Sequence, residues 1–309
     1  MSELEPRTIV DKTTGRPILM APKRQKRPMH TGSKAVDSRC PFCAGSEADT
    51  PPEIDAVRTD NTAANTPGWR VRVFDNLYPA TNHHEVIAEG AAHTDHPCDL
   101  DASHWIDIVA IWQRRVRALE AMPDVSNAYL FKNVGARAGA SIAHNHSQLI
   151  GLDTLPPRLE LERQQQREHG ACLMCASLGT AEEEQRAVVT TEQFVAFAPD
   201  PPKLPFETWL APRDCGSNFL NVDADALGTA LHQWLLALGH GLDRPPCNLW
   251  LHRVPAELLD NGEHFHWHFE LQPRTGQLAG LELGGDMYIN SIPATTTAAR
   301  LRDGLRNQP

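Results

Sequence analysis

The sequence predicts an α+β fold made of two tandem domains of one design, each a mainly antiparallel sheet with a single crossing helix. Three observations predict it. The first half carries Cys40-Pro41-Phe42-Cys43, His93 and His144-Asn145-His146, and the second carries Cys172-Leu173-Met174-Cys175, Cys215 and His266-Trp267-His268. From His93 to His144 and from Cys215 to His266 the separation is the same, 51 positions. A motif set repeated at matched spacing implies a repeated fold. In each half, strand-like segments follow one another with one amphipathic helix among them, which favours antiparallel-rich α+β over a doubly wound parallel sheet.

The elements justify themselves in order. Residues 1–35 are polar and irregular, with few strand signals. Arg70–Asn76 alternates polar and apolar as a half-buried strand does, and Glu85–Ala88 continues as a second. Asp101 to Met122 is the clearest helix: Trp105, Ile108, Val109, Trp112, Val116 and Leu119 form one stripe, with Asp101 or Ser103 as the cap. Asn127–Lys132 is a strand, a glycine-bearing loop covers Asn133 to Ser141, and His146–Gly151 is a final strand. The second half repeats the order. Phe194–Ala198 and Thr208–Ala211 match the first two strands. Asp223 to Leu242 is a helix with Leu227, Leu231, Trp234, Leu235 and Leu238 on one face, and Asn248–His252 and His266–Leu271 complete the set. Pro156 to His169, rich in Glu, Gln and Arg, reads as a linking helix. The domains are expected at 1–165, carrying the catalysis, and 166–309.

A chain of 309 residues with 41% apolar content has ample material for two cores. A net charge of −10 argues against a nucleic-acid or anionic-membrane partner. The exception is a basic stretch of Lys23, Arg24, Lys26, Arg27, His30 and Lys34, which is either a solvated loop or a phosphate contact. Seven cysteines, five of them in the two clusters, fit metal binding in a reducing compartment better than a disulfide framework. No apolar leader stands at the N-terminus and no window reaches membrane-spanning length, so a cytoplasmic location is expected.

Two thiols at Cys-x-x-Cys spacing, a third ligand and the first histidine of a His-x-His pair are the inventory of a tetrahedral zinc site. The first set is Cys40, Cys43, His93 and His144, and the second is Cys172, Cys175, Cys215 and His266. In the second half, Glu162, His252, His266 and His268 form an alternative set. Four protein ligands leave no open position, so these sites serve structure. The alternative is buried thiols and core histidines, which needs two independent coincidences. One or two zincs per chain are expected, with iron or zinc at the second site.

His144 and His146 lie two apart on an extended segment and point the same way. A metal on His144 holds His146 rigidly and leaves it able to act. The preceding loop amides, with Ser141, are suited to cradling a phosphate, and a neutral imidazole beside a phosphate is a competent nucleophile. Gln148 cannot donate a proton as a third histidine would. The reaction therefore expels a leaving group that needs no acid, such as another phosphate. The plainer readings are a structural histidine and a polar strand residue.

These residues resemble the histidine-triad superfamily and, within it, the galactose-1-phosphate uridylyltransferase branch. Pro22–Pro28, Cys40–Gly45, Asn76, His93, Phe131–Ser141 and His144–Gln148 follow in that family's order. Glu162, His252, His266 and His268 fall where the uridylyltransferases bind a second metal, whereas Cys172 and Cys175 resemble the ADP-glucose phosphorylase-like members, which carry two zincs. His146–Gly151 and Met287–Asn290 lean the same way, and Gly285 and Asp286 depart from the galactose enzymes. The resemblance implies two histidine-triad-like domains and a nucleotidyltransferase of carbohydrate, specifically galactose, metabolism. His146 would attack the α-phosphate of UDP-glucose or a similar nucleotide sugar, releasing sugar 1-phosphate and leaving a nucleotidyl-histidine. Gln148, Ser141 and the amides near Gly139 would hold phosphates, Arg24 and Arg27 would neutralise charge, and Asn76 and Asn133 would touch ribose or phosphates. A homodimer is expected. A nucleotide hydrolase and a non-catalytic zinc protein are the competing classes.

Overall fold

The computed structural model describes residues 5–26 and 39–306. β1 (Arg7–Val10) and β2 (Pro17–Met20) form a small antiparallel hairpin of their own. Then come β3 (Glu53–Arg58), β4 (Trp69–Asp75), β5 (His84–Ala88), α1 (Ala102–Glu120), β6 (Asn127–Val134), β7 (His146–Leu152) and α2 (Pro157–His169). The second half runs α3 (Leu173–Ala181), β8 (Ala187–Thr190), β9 (Phe194–Phe197), β10 (Thr208–Pro212), α4 (Ala224–Gly241), β11 (Cys247–His252), β12 (His268–Pro273), α5 (Gly280–Gly285) and α6 (Ala294–Arg306).

β3 to β12 make one ten-stranded sheet in the order β3-β4-β5-β7-β6-β11-β12-β10-β9-β8, antiparallel throughout. From the centre outwards each half repeats the other: β6 matches β11, β7 matches β12, β5 matches β10, β4 matches β9 and β3 matches β8. The register fixes which residues correspond. Phe131 lies opposite Gln148, Trp250 lies opposite Glu270, and Phe131 pairs directly with Trp250. The internal two-fold therefore passes through the Phe131–Trp250 pair. The repeats keep their own strand order but share one sheet and one core, and position 165/166 lies inside α2.

The helices sit where their stripes demand. Asp101 caps α1 by accepting the His104 amide at 2.8 Å, and Asp223 caps α4 by accepting the Asp225 amide at 2.9 Å. All six stripe residues of α1 and all five of α4 are buried. The two helices pack on one another so closely that a Cβ on Gly228 would stand 2.7 Å from the Ile106 backbone nitrogen. Trp112 of α1 meets Phe269 of β12 at 5.7 Å between ring centroids, tying the halves together. Each helix also holds the site strands by an indole bond: Trp112 donates to Ser147 Oγ at 2.8 Å and Trp234 to Thr208 Oγ1 at 2.9 Å.

The N-terminal hairpin corrects the expectation that residues 1–35 are irregular. Both its strands are largely exposed, so neither shows the alternation that a buried face imposes. Lys26 closes a short 3-10 turn from Pro22, and Arg27, His30 and Lys34 lie outside the described residues.

Candidate active site and metal centres

The sequence motifs converge as their spacing requires. Cys40, Cys43, His93 and His144 bring four ligand atoms within 4.8 Å of one another. His144 donates from Nε2 to the Gly90 carbonyl at 2.8 Å, which leaves Nδ1 facing Cys40 and Cys43, each at 3.6 Å. Burial lowers the pKa of His144 to about 4, so the ring is neutral and its Nδ1 lone pair is available to a cation. Burial, and then the neighbouring Cys40, push the Cys43 thiol up to about 11. Crowded thiols of this kind ionise when a dication compensates them, which is the donor chemistry of a structural zinc site.

The second set repeats the device. Cys172, Cys175, Cys215 and His266 also gather within 4.8 Å. His266 donates from Nε2 to the Pro212 carbonyl at 2.8 Å, turning Nδ1 towards Cys172 at 3.4 Å and Cys175 at 3.5 Å.

The alternative set of Glu162, His252, His266 and His268 needs correction, because His266 is spent on the cysteines. Glu270 takes its place: Glu162, His252, His268 and Glu270 form a third group within 4.8 Å. His252 Nδ1 lies 3.0 Å from Glu162, and His268 Nε2 lies 3.6 Å from Glu270. Among the described residues, His268 Nε2 and both Glu270 carboxylate oxygens are buried without a hydrogen-bond partner. Orphaned buried atoms of this kind cost free energy unless something binds them, and a mixed carboxylate and imidazole set suits a divalent cation. The two second-half sets are therefore neighbours sharing one His-x-His, not alternatives. Glu270 was legible in principle, since it follows His268 as Gln148 follows His146.

His146 and Gln148 stand on β7, in register with Ala88 and Val86 of β5. With Phe42, Phe74, Asn76 and Ser141 they line a cavity of about 280 Å³. His146 donates from Nδ1 to the His144 carbonyl at 2.7 Å, so its lone pair sits on Nε2. The His146 ring meets Phe42 edge-on at 5.3 Å. Behind it the buried Lys132 ammonium, paired with Glu89, donates to the His146 carbonyl at 3.3 Å. Thus His144, His146 and their shared backbone are fixed as one unit. A larger cavity of about 680 Å³, lined by Glu120, Arg253 and Trp267, contains neither His146 nor Gln148.

Of the other expected binding residues, Asn76 and Ser141 line the His146 cavity. Arg24 donates to the carbonyl of Tyr78, itself a wall of that cavity, at 2.8 Å. Gly139 closes a 3-10 turn at φ +86°, a conformation that favours glycine. Asn133 accepts from Asn248 at 2.7 Å and lines a separate cavity beside Asn145 and Arg244. Arg27 lies outside the described residues.

Comparison with known proteins supports the same kinship. The family model described as Domain of unknown function (DUF4921) matches residues 113–308. The ADP-glucose phosphorylase of Arabidopsis thaliana is 29% identical over 95% of this chain and 91% of its own. The galactose-1-phosphate uridylyltransferase of Thermotoga maritima is 24% identical over 93% and 94%. The crystal structure of the Arabidopsis enzyme with bound ADP-glucose superposes with a TM-score of 0.76 at 28% identity, covering 97% of this chain and 98% of that one. The chain belongs to the DUF4921 family and shares the α+β fold of the GalT-like proteins.

Proposed function

We propose that the protein is a nucleotidyltransferase that works through a covalent intermediate on His146. The observation that carries the reading is the pair on β7: a histidine whose Nδ1 is committed to a backbone carbonyl, beside an amide that cannot act as an acid, both at the wall of one cavity. His146 Nε2 attacks the α-phosphorus of a nucleotide sugar. A phosphorus–nitrogen bond forms, the bond to the leaving phosphate oxygen breaks, and sugar 1-phosphate departs as an anion that needs no proton. A second phosphate-bearing acceptor then attacks the same phosphorus and regenerates His146. Phe42, Phe74, Val86 and Pro51 offer an apolar shelf for the base. Ser141, the amides around Gly139 and the Gln148 amide hold phosphate oxygens, Arg24 and Arg27 balance charge, and Asn76 contacts ribose or phosphate; Asn133, which lines a separate cavity, is left out of this role.

The first reading of the donor is UDP-glucose, with a hexose 1-phosphate as acceptor. A second reading, ADP-glucose with inorganic phosphate as acceptor, is favoured by the 29% identity to the Arabidopsis phosphorylase over 95% of the chain. The duplicated 1–165 and 166–309 units would divide the labour, the first catalytic and the second structural. Zinc would be held by Cys40, Cys43, His93 and His144, and by Cys172, Cys175, Cys215 and His266. Iron or zinc would be held by Glu162, His252, His268 and Glu270. Bound there, a cation supplies compensating charge and rigidity. A cytoplasmic location is supported by seven free thiols, five of them grouped with ligating histidines, and a homodimer completes the reading. No helix among the described residues is long and apolar enough to cross a membrane.

The test is intact-mass spectrometry after mixing with UDP-glucose or ADP-glucose. The correct donor adds one nucleoside monophosphate, labile in acid, and His146→Ala abolishes the adduct without changing folding or metal content. An adduct that persists in the variant refutes the assignment.

A further inference from the structure

We propose that His84 is a positioning residue for nucleotidyl transfer: it sets the Gln148 amide so that its N–H donors, and not its carbonyl, face the phosphate. The proposal rests on the reading of His146 as nucleophile. His84 opens β5 and is buried, on the same sheet face as Val86 and Ala88, which pair with Gln148 and His146. The Ala80 backbone amide, which can only donate, lies 3.0 Å from His84 Nδ1. His84 Nδ1 is therefore an acceptor, and the ring proton sits on Nε2. That Nε2 lies 3.0 Å from the Gln148 side chain, whose facing atom must then be the oxygen. Asn76 Oδ1 accepts the Tyr78 amide at 2.8 Å, so its Nδ2 is a donor too; it stands 3.2 Å from His84 Nε2 and 3.5 Å from the Gln148 oxygen, and because both nitrogens carry protons the Gln148 oxygen is the acceptor that the two share. With its oxygen committed, Gln148 has only N–H groups left for the cavity. A flipped amide would present a carbonyl dipole to a phosphate and repel it.

The internal repeat supplies a control built into the molecule. The register makes Glu207 the counterpart of His84 and Glu270 that of Gln148. Glu207 keeps the loop bond, accepting the Lys203 amide at 2.8 Å as His84 accepts the Ala80 amide. A carboxylate cannot relay a donor to its neighbour, and among the described residues the Glu270 oxygens in that half have no hydrogen-bond donor. Both halves therefore need an acceptor at this position to hold the loop. Only the half with His146 has a group that also donates onward.

Two substitutions separate the loop role from the relay. His84→Asn places an acceptor where Nδ1 was and removes the donor to Gln148. His84→Gln places an amide donor where Nε2 was. At saturating nucleotide sugar, His84→Asn should form the nucleotidyl-protein about tenfold more slowly or worse, the size of one misdirected hydrogen bond to a charged group. Its KM, thermal stability and metal content should stay near the parent's, and His84→Gln should recover most of the rate. On a Gln148→Ala background, His84→Asn should cost nothing further, because its effect runs through Gln148. Equal rates for parent and His84→Asn, better activity in His84→Asn than in His84→Gln, or additive losses in the cycle would overturn the proposal. A parent that takes no nucleotidyl label at all would instead overturn the His146 reading. The ring nitrogens give a readout independent of turnover: ¹⁵N NMR at neutral pH should find His84 protonated on Nε2, and protonation on Nδ1 would overturn the proposal whatever the activity.

Discussion

Gly228 and Gly179 invite the same substitution with opposite outcomes. Both lie inside helices, α4 and α3, where alanine is favoured over glycine by roughly 1 kcal/mol. At Gly179 an added Cβ meets nothing within 4 Å, so Gly179→Ala should stabilise by about 0.5–1 kcal/mol. At Gly228 the same carbon stands 2.7 Å from the Ile106 nitrogen, 2.8 Å from its Cα and 2.9 Å from its Cγ1. Two of those atoms are backbone, so α1 and α4 must separate rather than a side chain swing away. Overpacking costs roughly 1–3 kcal/mol, and the upper end applies. After the helix-propensity gain, Gly228→Ala should destabilise by about 1–2 kcal/mol. At about 2 °C per kcal/mol for a chain of this size, its melting temperature should fall by about 2–4 °C while that of Gly179→Ala rises by about 1–2 °C. Thermal scans of metal-replete protein decide the matter. The shift should also reach the chemistry, because α1 carries the Trp112 indole that holds Ser147 between His146 and Gln148. A Gly228→Ala protein that melts at or above the parent temperature would refute the close-contact argument.

Three further outcomes are expected. Cys40→Ser should remove about one zinc per chain and lower thermal stability as well as activity, because a structural zinc contributes folding free energy; elemental analysis finding no change in zinc would sink this. Gln148→His should narrow the gap between transfer and hydrolysis by supplying an acid–base group, read as nucleoside monophosphate released without acceptor; each 1.36 kcal/mol is about tenfold in rate. The pKa of Asp101 is lowered from 3.8 to about 2, first by the Ser103 hydroxyl and then by the His104 amide. A depressed carboxyl stabilises above its unfolded value and loses that effect as pH falls through its folded value. Asp101→Ala should therefore cost about 1 kcal/mol near neutrality, a figure limited by the exposure of the group. The gap to the parent should close as pH falls from about 4 towards 2, and a gap constant across that window would contradict the capping role.

The sequence carried most of the centre of the molecule and little of its rim. α1 and α4 were legible because each packs one continuous stripe into the core, and their caps follow from Asp101 and Asp223. The eight inner strands of the sheet, β4 to β7 and β9 to β12, were legible because each has a buried face. β3 and β8 were not: they are the outermost strands of the sheet, each broken by a register shift, so no clean alternation marks them. α6 was hidden by its Thr295–Thr297 run, whose residues are weak helix formers, although Ala298 and Leu301 are fully buried. In the site, cysteines and His-x-His pairs announce themselves by spacing. His84 does not, because its contact with Gln148 depends on which residues lie across the sheet, and only the register supplies that; Glu270 could be read from its place two after His268.

The pairing of Phe131 with Trp250 has a consequence for the half-molecule. β6 contributes Phe131–Val134 to the joint and β11 contributes Cys247–Trp250. Cut away from its sister, either half would present that rim of unmet amides and carbonyls to solvent, an invitation to association. Because the joint lies on a two-fold, what such a half would meet best is another copy of itself. The covalent chain makes that meeting intramolecular, and in doing so lets the two copies of the β7-type strand differ, one carrying His146 and Gln148 and the other His268 and Glu270.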